Sequence, residues 1–246
     1  MTWLDRWMVR AGSFFFRYRN GLFPVTYGLS ALLLKPRVIL HPAIDHLLGL
    51  LGIAVTLAGE LVRLTTIGFE YIERGGKNKQ VYASRLVQSG IYSLTRNPMY
   101  LGNVLIVLGV AMMAGSPWMY RLVVPFFLFV YWAIVRAEEA YLQEHFRAEY
   151  TRYCERVNRF IPRFQHLREA LAGFQYNWKR AVRQELSTLA LVFSALVLVP
   201  AWRAFFLSGP VAAKAMAPRT LALEGTVCAL YGIFVWIKRR RLLFYP

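Results

Sequence analysis

Long apolar stretches alternate with short, basic segments along most of the chain. A membrane-spanning helix needs about 20 mostly apolar residues, and four stretches are read as single spans: residues 21–34, 43–69, 186–207 and 221–237. The first of these is short, and a start in the phenylalanine cluster at 14–16 is the alternative. A further stretch, 101–135, is interrupted by Gly115, Ser116 and Pro117, which predicts two antiparallel helices joined by a turn. The pattern therefore predicts an all-α, polytopic transmembrane helix bundle of about six spans. Its last two spans form an extra C-terminal helical hairpin.

After residue 135 the apolar positions change to an amphipathic helical period. They recur at spacings of three and four at Leu142, Phe146, Tyr150, Tyr153, Val157 and Phe160, which predicts a helix that ends at Pro162. On such a helix Glu139 falls near the middle of the apolar face and Glu138 at its edge. Because unpaired carboxylates are costly there, we expect both to have cationic or hydrogen-bonding partners. The alternative is an ordinary acidic pair at a helix start, which favours the helix dipole or pairs with Arg136.

The composition supports a membrane protein and excludes other classes. Hydrophobic residues make up 57% of the chain and charged residues only 17%, which is unlike a soluble domain. The net charge of +17 does not indicate nucleic-acid binding, because the basic residues alternate with apolar runs as membrane topology requires. The expected partner is the lipid bilayer. Cys154 and Cys228 are expected to be free thiols, and the histidines lack the spacing of a zinc site.

The distribution of Lys and Arg predicts the orientation in the membrane. Twenty-three of these residues fall in segments on one side of the predicted spans, and six fall on the other. The positive-inside rule places both termini and both polar motifs in the cytoplasm. The first 20 residues carry four arginines without a signal-peptide pattern, so we expect them to be retained. We therefore expect an integral protein of a bacterial inner membrane.

Segment 89–102 is a turn-rich polar motif directly before an apolar stretch. Gly90 permits a tight turn, Pro98 suits a helix start, and Gly102 allows another backbone or a ligand to approach closely. Each residue also has an ordinary explanation. Asn97 is a possible helix cap, Tyr92 and Tyr100 are typical interface anchors, and Arg96 suits contact with a lipid phosphate.

The order and spacing of these residues resemble the isoprenylcysteine carboxyl methyltransferase and phospholipid methyltransferase superfamily. The shared pattern is Gly-x-Tyr, then Arg-His/Asn-Pro-x-Tyr-x-Gly, a hairpin, and Glu-Glu-x-x-Leu-x-x-x-Phe. It is matched here by Gly90, Tyr92, Arg96, Asn97, Pro98, Tyr100, Gly102, Glu138, Glu139, Leu142 and Phe146. The resemblance covers about residues 81–163, so we divide the chain into N-terminal helices (1–80), a methyltransferase core (81–163) and a C-terminal extension (164–246).

The resemblance implies S-adenosylmethionine as the methyl donor, bound in a cytoplasmic pocket that includes the acidic helix. Glu138 aligns with the position that anchors the donor, which carries a sulfonium and an ammonium group. The other implied cofactor-binding residues are Arg85, Leu86, Val87, Tyr92, Asn97, Pro98, Met99 and Tyr100. The implied partner is a membrane lipid or a lipidated small molecule as acceptor.

The candidate catalytic residues are Glu139, Tyr100 and Arg96. A carboxylate acceptor already carries its charge, whereas an ammonium acceptor must lose a proton, for which Glu139 or Tyr100 is a candidate base. Asn97 occupies a position that is commonly histidine in the family. Unlike histidine, an asparagine side chain cannot titrate. Ile134 replaces an arginine that isoprenylcysteine methyltransferases use in substrate recognition. The acceptor and the oligomeric state are therefore left open.

Two other classes of function fit parts of the sequence. Membrane sterol reductases have a similar architecture but use NADPH, and a noncatalytic membrane adaptor would keep only the helices. Glu60 and Arg63, three residues apart within a predicted span, either shape a substrate cavity or compensate each other's charge. The predicted role of the C-terminal extension is packing, with a lateral gate, a dimer surface or additional anchoring as alternatives.

Overall fold

A computed structural model describes residues 2–38, 41–70, 76–172 and 175–240. Six α-helices follow one another: α1 (Trp3–Leu33), α2 (Pro42–Phe69), α3 (Pro98–Ala114), α4 (Val124–Arg156), α5 (Leu167–Leu171) and α6 (Trp178–Arg239). Short 3-10 turns cover Gly90–Ser93 and Phe164–His166, and a π-helical turn, Met119–Val123, leads into α4. No β-strand forms within these four ranges, which confirms the all-α prediction.

Helix α1 begins much earlier than the predicted span at residue 21. Its start is a capping box, in which the Thr2 hydroxyl accepts from the Asp5 amide at 3.2 Å and the Asp5 carboxylate accepts from the Thr2 amide at 3.1 Å. The prediction was too short because the span was placed by its apolar length, and the four arginines near the N-terminus were counted as a segment beside it. They lie on the helix, and Arg19 therefore has a fixed place within the bundle.

The predicted α3–α4 hairpin is confirmed, but the second helix continues further than expected. Helix α3 ends at Ala114, and Gly115 follows in a left-handed conformation (φ 60°) that terminates helices. Helix α4 passes without a loop into the predicted amphipathic helix, with one non-helical residue at Arg147 (φ 42°, ψ −113°). It ends at Arg156, short of the predicted end at Pro162. The acidic pair therefore lies on the same continuous helix as the apolar span.

Helices α2 and α3 pack closely because small residues face each other along their crossing. A Cβ atom at Gly102 would lie 2.7 Å from the Gly59 carbonyl oxygen and 2.6 Å from Cγ of Arg63. At the next contact along the crossing, the backbones of Gly109 in α3 and Gly52 in α2 approach each other equally closely. Close approach of backbones through small residues is typical of helix packing in membranes, and it confirms the close approach predicted for Gly102.

Helix α6 folds back on itself at Gly209. The backbone there has φ 80° and ψ 177°, a conformation open to glycine, and Pro210 follows. Three side-chain contacts join the two halves: Ser187–Tyr231, Ser194–Glu224 and Lys238–Arg183. Each pair is roughly symmetric about residue 209, so the two halves run antiparallel. This agrees with the predicted C-terminal hairpin.

Three helices of the described chain are long and apolar enough to cross a membrane: Pro42–Phe69, Met119–Arg156 and Trp178–Arg239. Pro98–Ala114 is a shorter apolar helix. Together with the all-helical architecture, they establish a transmembrane helix bundle. The count of six spans stays a prediction.

Segments that are distant in sequence meet at one end of the bundle, which we call the polar end. The start of α1, the end of α2, the 76–97 loop, the residues after α4 and both ends of α6 are joined there. The contacts are Arg136–Asp5, Asn177–Gly68, Arg96–Asn158 and Lys238–Arg183. The two polar motifs of the sequence therefore share one face of the molecule. Its cytoplasmic location stays a prediction.

Candidate active site

A cavity of about 2160 Å³ opens at the polar end and extends between the helices. Nearly all the residues selected from the sequence line it: Arg85, Leu86, Val87, Tyr92, Arg96, Asn97, Met99, Tyr100, Glu138 and Glu139. Pro98 is not among the lining residues, because it is fully buried at the first position of α3. The structure therefore gathers the two motifs around one space, although their individual roles stay predictions.

Glu138 and Tyr100 form the hydrogen bond that links the two motifs across the cavity. The Tyr100 hydroxyl donates to Oε1 of Glu138 at 2.7 Å, and only 9% of Tyr100 is exposed. Pro98 starts α3 and so puts Tyr100 in its first turn, facing α4. A carboxylate accepts about four hydrogen bonds, so this contact leaves acceptor capacity for a cationic ligand in the cavity.

Glu139 is held by two arginines. Arg159 donates to both carboxylate oxygens at 2.9 and 2.8 Å, and Arg96 lies 3.3 Å from Oε1. The two-point Arg159 contact is the strong, directional form of this ion pair. The expectation that Glu138 and Glu139 have partners is thus confirmed. The alternative partner, Arg136, instead pairs with Asp5.

The charge of Arg96 is stabilised by its surroundings. Partial burial acts to lower the pKa of Arg96, but the Glu139 carboxylate and the nearby Cys154 and Tyr150 outweigh burial and raise that pKa above its ordinary value. Arg96 is therefore a permanent cation at the cavity wall. Cys154 and Cys228 are both free thiols, as predicted.

Asn97 connects the turn to the segment after α4 and makes no side-chain cap. Its Nδ2 donates to the Arg159 carbonyl at 3.1 Å, and the Thr95 hydroxyl donates to the same oxygen at 3.2 Å. The capping explanation is therefore wrong. Backbone bonds from Arg96 to Asn158 and from Arg163 to Leu94 add to these contacts. The turn and residues 158–163 consequently form one unit.

The loop upstream of the turn is fixed to α2 and α4. Glu70, at the end of α2, accepts from Arg85 at 2.8 Å and from Ser89 at 2.9 Å. The Tyr153 hydroxyl donates to the Tyr92 carbonyl at 2.7 Å. These bonds hold the loop against the cavity, while 61% of the Arg85 side chain is exposed at its mouth.

A buried cluster around Arg63 was predicted only in part. The Arg63 guanidinium lies 3.7 Å from Glu60, as the spacing indicates, but its closer partner is Glu185 of α6, at 2.7 and 2.9 Å. Arg63 also donates to Asn103 and Thr188. Sequence reasoning missed Glu185 because it is 122 positions from Arg63. The sequence contains one indication of a role for Glu185, which is that an acidic residue stands at the start of the predicted span 186–207.

The cavity extends well beyond the residues that were predicted from the sequence. Helix α1 contributes Arg19, Phe23 and Tyr27, and α6 contributes a row of residues between Arg180 and Trp202. For α6 the predicted role was packing, with a lateral gate, a dimer surface or additional anchoring as alternatives, and for α1 no role beyond a membrane span was predicted. The first half of α6 is therefore part of the cavity wall.

The central part of the chain is similar in sequence to proteins of known families. Residues 45–149 match the sequence model of the family described as phospholipid methyltransferase. The chain is 37% identical over 90 residues to protein-S-isoprenylcysteine O-methyltransferase of Saccharomyces cerevisiae, covering 35% of this chain and 36% of the relative. It is 34% identical over 116 residues to the cobalt-zinc-cadmium resistance protein CzcN of Cupriavidus metallidurans, covering 47% of this chain and 48% of that protein.

A third relative is the nickel-cobalt-cadmium resistance protein NccN of Alcaligenes xylosoxydans xylosoxydans, 30% identical over 86 residues, which are 35% of this chain and 40% of the relative. The chain thus matches less than half the length of each of these relatives. No solved structure matches the chain significantly.

The matched region contains most of α2, all of α3 and most of α4, and hence Tyr100, Glu138 and Glu139. The apolar helices and the matched family together indicate an integral membrane protein. Through residues 45–149 the chain is similar to the phospholipid methyltransferase family, and it shares a 90-residue stretch with an isoprenylcysteine O-methyltransferase.

Proposed function

We propose that the protein is an S-adenosylmethionine-dependent methyltransferase that acts on a lipophilic acceptor from the inner-membrane bilayer, with its site facing the cytoplasm. The observation that carries the proposal is the Glu138–Tyr100 pair, at 2.7 Å, in the wall of a cavity at the polar end. A carboxylate there suits a ligand with positive charge. The matched family supplies the reaction type, and the basic polar end supports the cytoplasmic orientation.

The residues around Glu138 fit the proposed donor chemically. Glu138 would hold the cationic part of S-adenosylmethionine, while Leu86, Val87 and Tyr92 offer apolar and aromatic surface for its adenosine part. Asn97 and Met99 line the same wall. When bound, this donor supplies an electrophilic methyl group on a sulfonium, which leaves as a neutral thioether.

The chain's own contribution is to bind, orient and exclude water, because methyl transfer needs alignment more than strong acid catalysis. Glu139 fits a positioning role, since Arg159 and Arg96 both hold its carboxylate. Tyr100 touches Glu138 and is the better-placed group for moving a proton from an ammonium acceptor to the Glu138 carboxylate. For a carboxylate acceptor no such proton needs to move.

The decisive experiment is calorimetric binding of S-adenosylmethionine, S-adenosylhomocysteine and NADPH to the purified protein, with Glu138→Gln as the variant. We expect both methionine-derived ligands to bind and to lose at least tenfold in affinity in the variant, because a charged contact is worth about 1.5–3 kcal/mol. Glu144→Gln removes an exposed carboxylate from the same helix and should bind as the wild type does.

The same measurement decides between the proposal and its alternatives. Binding of NADPH alone would favour a reductase, and binding of none of the three would favour a noncatalytic adaptor. Unchanged donor affinity in Glu138→Gln would reject Glu138 as the anchor. If donor binding is observed, a screen of membrane lipids with radiolabelled methyl donor identifies the acceptor.

A further inference from the structure

One face of helix α6 lines the cavity and changes from polar to apolar along its length. The polar part consists of Arg180, Arg183, Gln184, Ser187 and Thr188, and the mostly apolar part consists of Leu191, Val192, Ser194, Ala195, Leu198, Val199 and Trp202. The Ser194 hydroxyl donates to Glu224 in the second half of α6, at 2.7 Å. The other lining residues of α6 have spacings of three, four and one, which place them on a single helical face. This helix lies outside the family match at residues 45–149. The extension therefore adds its own wall to a cavity whose centre lies within the matched region.

Two other helices show the same polar-to-apolar change in the same direction. The lining residues of helix α1 are Phe16, Arg19 and Asn20, then Phe23, Pro24, Tyr27, Ser30 and Ala31, and those of α3 are Met99, Tyr100 and Asn103, then Ile106, Val110 and Ala114. The charged and amide groups are confined to the first part of each series, and the Ser30 hydroxyl donates within its own helix, to the Thr26 carbonyl at 2.7 Å. Contacts show that α3 runs parallel to the first half of α6. Arg63 bridges Asn103 and Glu185, and further along Arg203 donates to the Met113 carbonyl at 3.4 Å. The three faces thus enclose a channel with a polar and an apolar end.

The apolar end of the channel is closed. The Trp202 indole donates to the Ala31 carbonyl of α1 at 3.0 Å, and just beyond it Arg203 pairs with Asp45 of α2 at 3.1 Å. From Leu191 to Trp202 is 11 residues, which at the helical rise is roughly 16 Å of apolar wall. Leu191 and Leu198 line the cavity and yet are 64% and 45% exposed. The channel is therefore also open along its side, towards the surrounding lipid.

The polar end of the channel carries more basic than acidic side chains. Arg19, Lys77, Arg180, Arg183 and Lys238 line the cavity there, and so do the carboxylates of Glu138 and Glu139, of which Glu139 is already paired with Arg96 and Arg159. Arg180 donates to the Ile67 and Gly68 carbonyls at 2.8 Å, and Lys238 donates to the Arg183 carbonyl at 3.2 Å. Because a carbonyl group carries no net charge, these hydrogen bonds do not neutralise the positive charges of Arg180 and Lys238. This end consequently favours an anionic group, whether a carboxylate or a phosphate.

We propose that α6, with α1 and α3, forms the binding channel for the hydrocarbon chain of an anionic amphiphile, and that Trp202 sets the longest chain accepted. The anionic head lies among the basic residues, close to the Glu138–Tyr100 pair, and the chain extends to the closed end. That this amphiphile is the methyl acceptor rests on the proposed function. The binding of an amphiphile in the channel does not depend on the proposed function.

The test is photolabelling of the full-length protein in lipid nanodiscs. From Arg183 to Trp202 is 19 residues, roughly 28 Å at the helical rise, so the probes are decyl, octadecyl and hexacosyl carboxylates with a diazirine at the chain end, and the labelled residues are mapped by mass spectrometry. We expect saturable labelling near Leu191 for the shortest probe and towards Val199 for the octadecyl probe, and weaker labelling by the longest. Unlabelled alkyl carboxylate or alkyl phosphate should compete, and an alkyl glucoside of equal length should compete at least tenfold less well. Stronger competition by carboxylate than by phosphate would identify the head group as a carboxylate, and the reverse order would identify a phosphate.

Two variants examine the channel itself. Trp202→Ala lengthens it, so labelling by the hexacosyl probe should rise several-fold relative to the octadecyl probe. Ala195→Trp fills the channel and should abolish labelling at its closed end, whereas Val211→Trp adds the same bulk at a highly exposed site and should not. Labelling confined to exposed residues such as Val211, equal competition by the glucoside, or an unchanged length preference in Trp202→Ala would overturn the proposal. The wild-type map needs no variant to fold, and it is independent of donor binding, so it separates this proposal from the proposed function.

Discussion

The hydrogen bond from Tyr100 to Glu138 joins the first turn of α3 to α4 inside the cavity. We predict that Tyr100→Phe lowers donor affinity about tenfold, because a hydrogen bond to a charged group contributes about 1.5 kcal/mol and here also orients the carboxylate. Calorimetry with S-adenosylhomocysteine measures the change. Tyr18→Phe, which removes an exposed hydroxyl from α1, is the matched control. Equal affinities in all three proteins would show that the Tyr100 hydroxyl does not orient the donor site.

Glu139 differs from Glu138 because its carboxylate has two cationic partners, Arg159 and Arg96. We predict that Glu139→Gln lowers the free energy of unfolding by about 1–3 kcal/mol and leaves donor affinity within about twofold, because it leaves Arg159 and Arg96 facing each other without an anion. Thermal unfolding and calorimetry measure the two effects. A stable variant that binds donor normally and yet loses all methyl transfer would instead indicate the base role.

Predictions for individual residues were correct where the free-energy cost depends only on neighbouring residues in the sequence. A carboxylate on an apolar face needs a partner, and that rule correctly predicted partners for Glu138 and Glu139. It did not identify Arg159 or Tyr100 as those partners, because pairing depends on how α3 and α4 pack. The Arg63–Glu185 pair joins positions 122 apart, so no periodicity could predict it. Asn97 looked like a cap because its type and place before Pro98 are typical of one, but the Arg159 carbonyl competes for its side chain.

The α2–α3 crossing depends on glycine at both sides of the contact. We predict that Gly102→Ala destabilises the protein by about 1–3 kcal/mol, because its Cβ would lie 2.6 Å from Cγ of Arg63 and 2.7 Å from the Gly59 carbonyl oxygen. It should also disturb the Arg63 cluster at the cavity. In Gly28→Ala on α1 the new Cβ meets nothing within 4 Å, so that variant should be neutral or slightly stabilising. Thermal unfolding in one detergent compares them, and equal midpoints would contradict the close-packing argument.

The helices themselves were predicted to different degrees. Apolar length and the Gly-Ser-Pro break gave the α3–α4 hairpin correctly, because a helix end needs only local chemistry. The start of α1 was missed although Thr2 and Asp5 form a recognisable capping box, since the first span was placed by apolar length alone. The fold-back of α6 at Gly209 agrees with the gap predicted between its two spans. Its contribution to the cavity depends on packing against α2 and α3, which the sequence does not encode locally.

The molecule as a whole combines a region that matches a known family with two helices from outside that match. Residues 45–149 supply Glu138 and Tyr100, while α1 and α6 supply much of the cavity wall that leads away from them. Under the proposed function, such an arrangement keeps the donor site constant and allows the acceptor to change through the outer helices. The polar end collects both the candidate site residues and most of the positive charge, so the proposed function couples orientation in the membrane to access of a water-soluble donor.

That coupling makes the topology testable. In a protein whose Cys154 and Cys228 are replaced by serine, we predict that Lys79→Cys and Arg168→Cys react with a membrane-impermeant maleimide only after the cells are opened, whereas Trp118→Cys reacts in intact spheroplasts. Lys79 and Arg168 are exposed in segments at the polar end, and Trp118 is 46% exposed in the α3–α4 turn at the opposite end. The reason is the distribution of Lys and Arg, 23 against six, which favours retention of the basic side. The reverse labelling pattern would place Glu138 and Tyr100 outside the cytoplasm, away from the compartment in which S-adenosylmethionine is made, and would thereby contradict the proposed donor as well as the orientation.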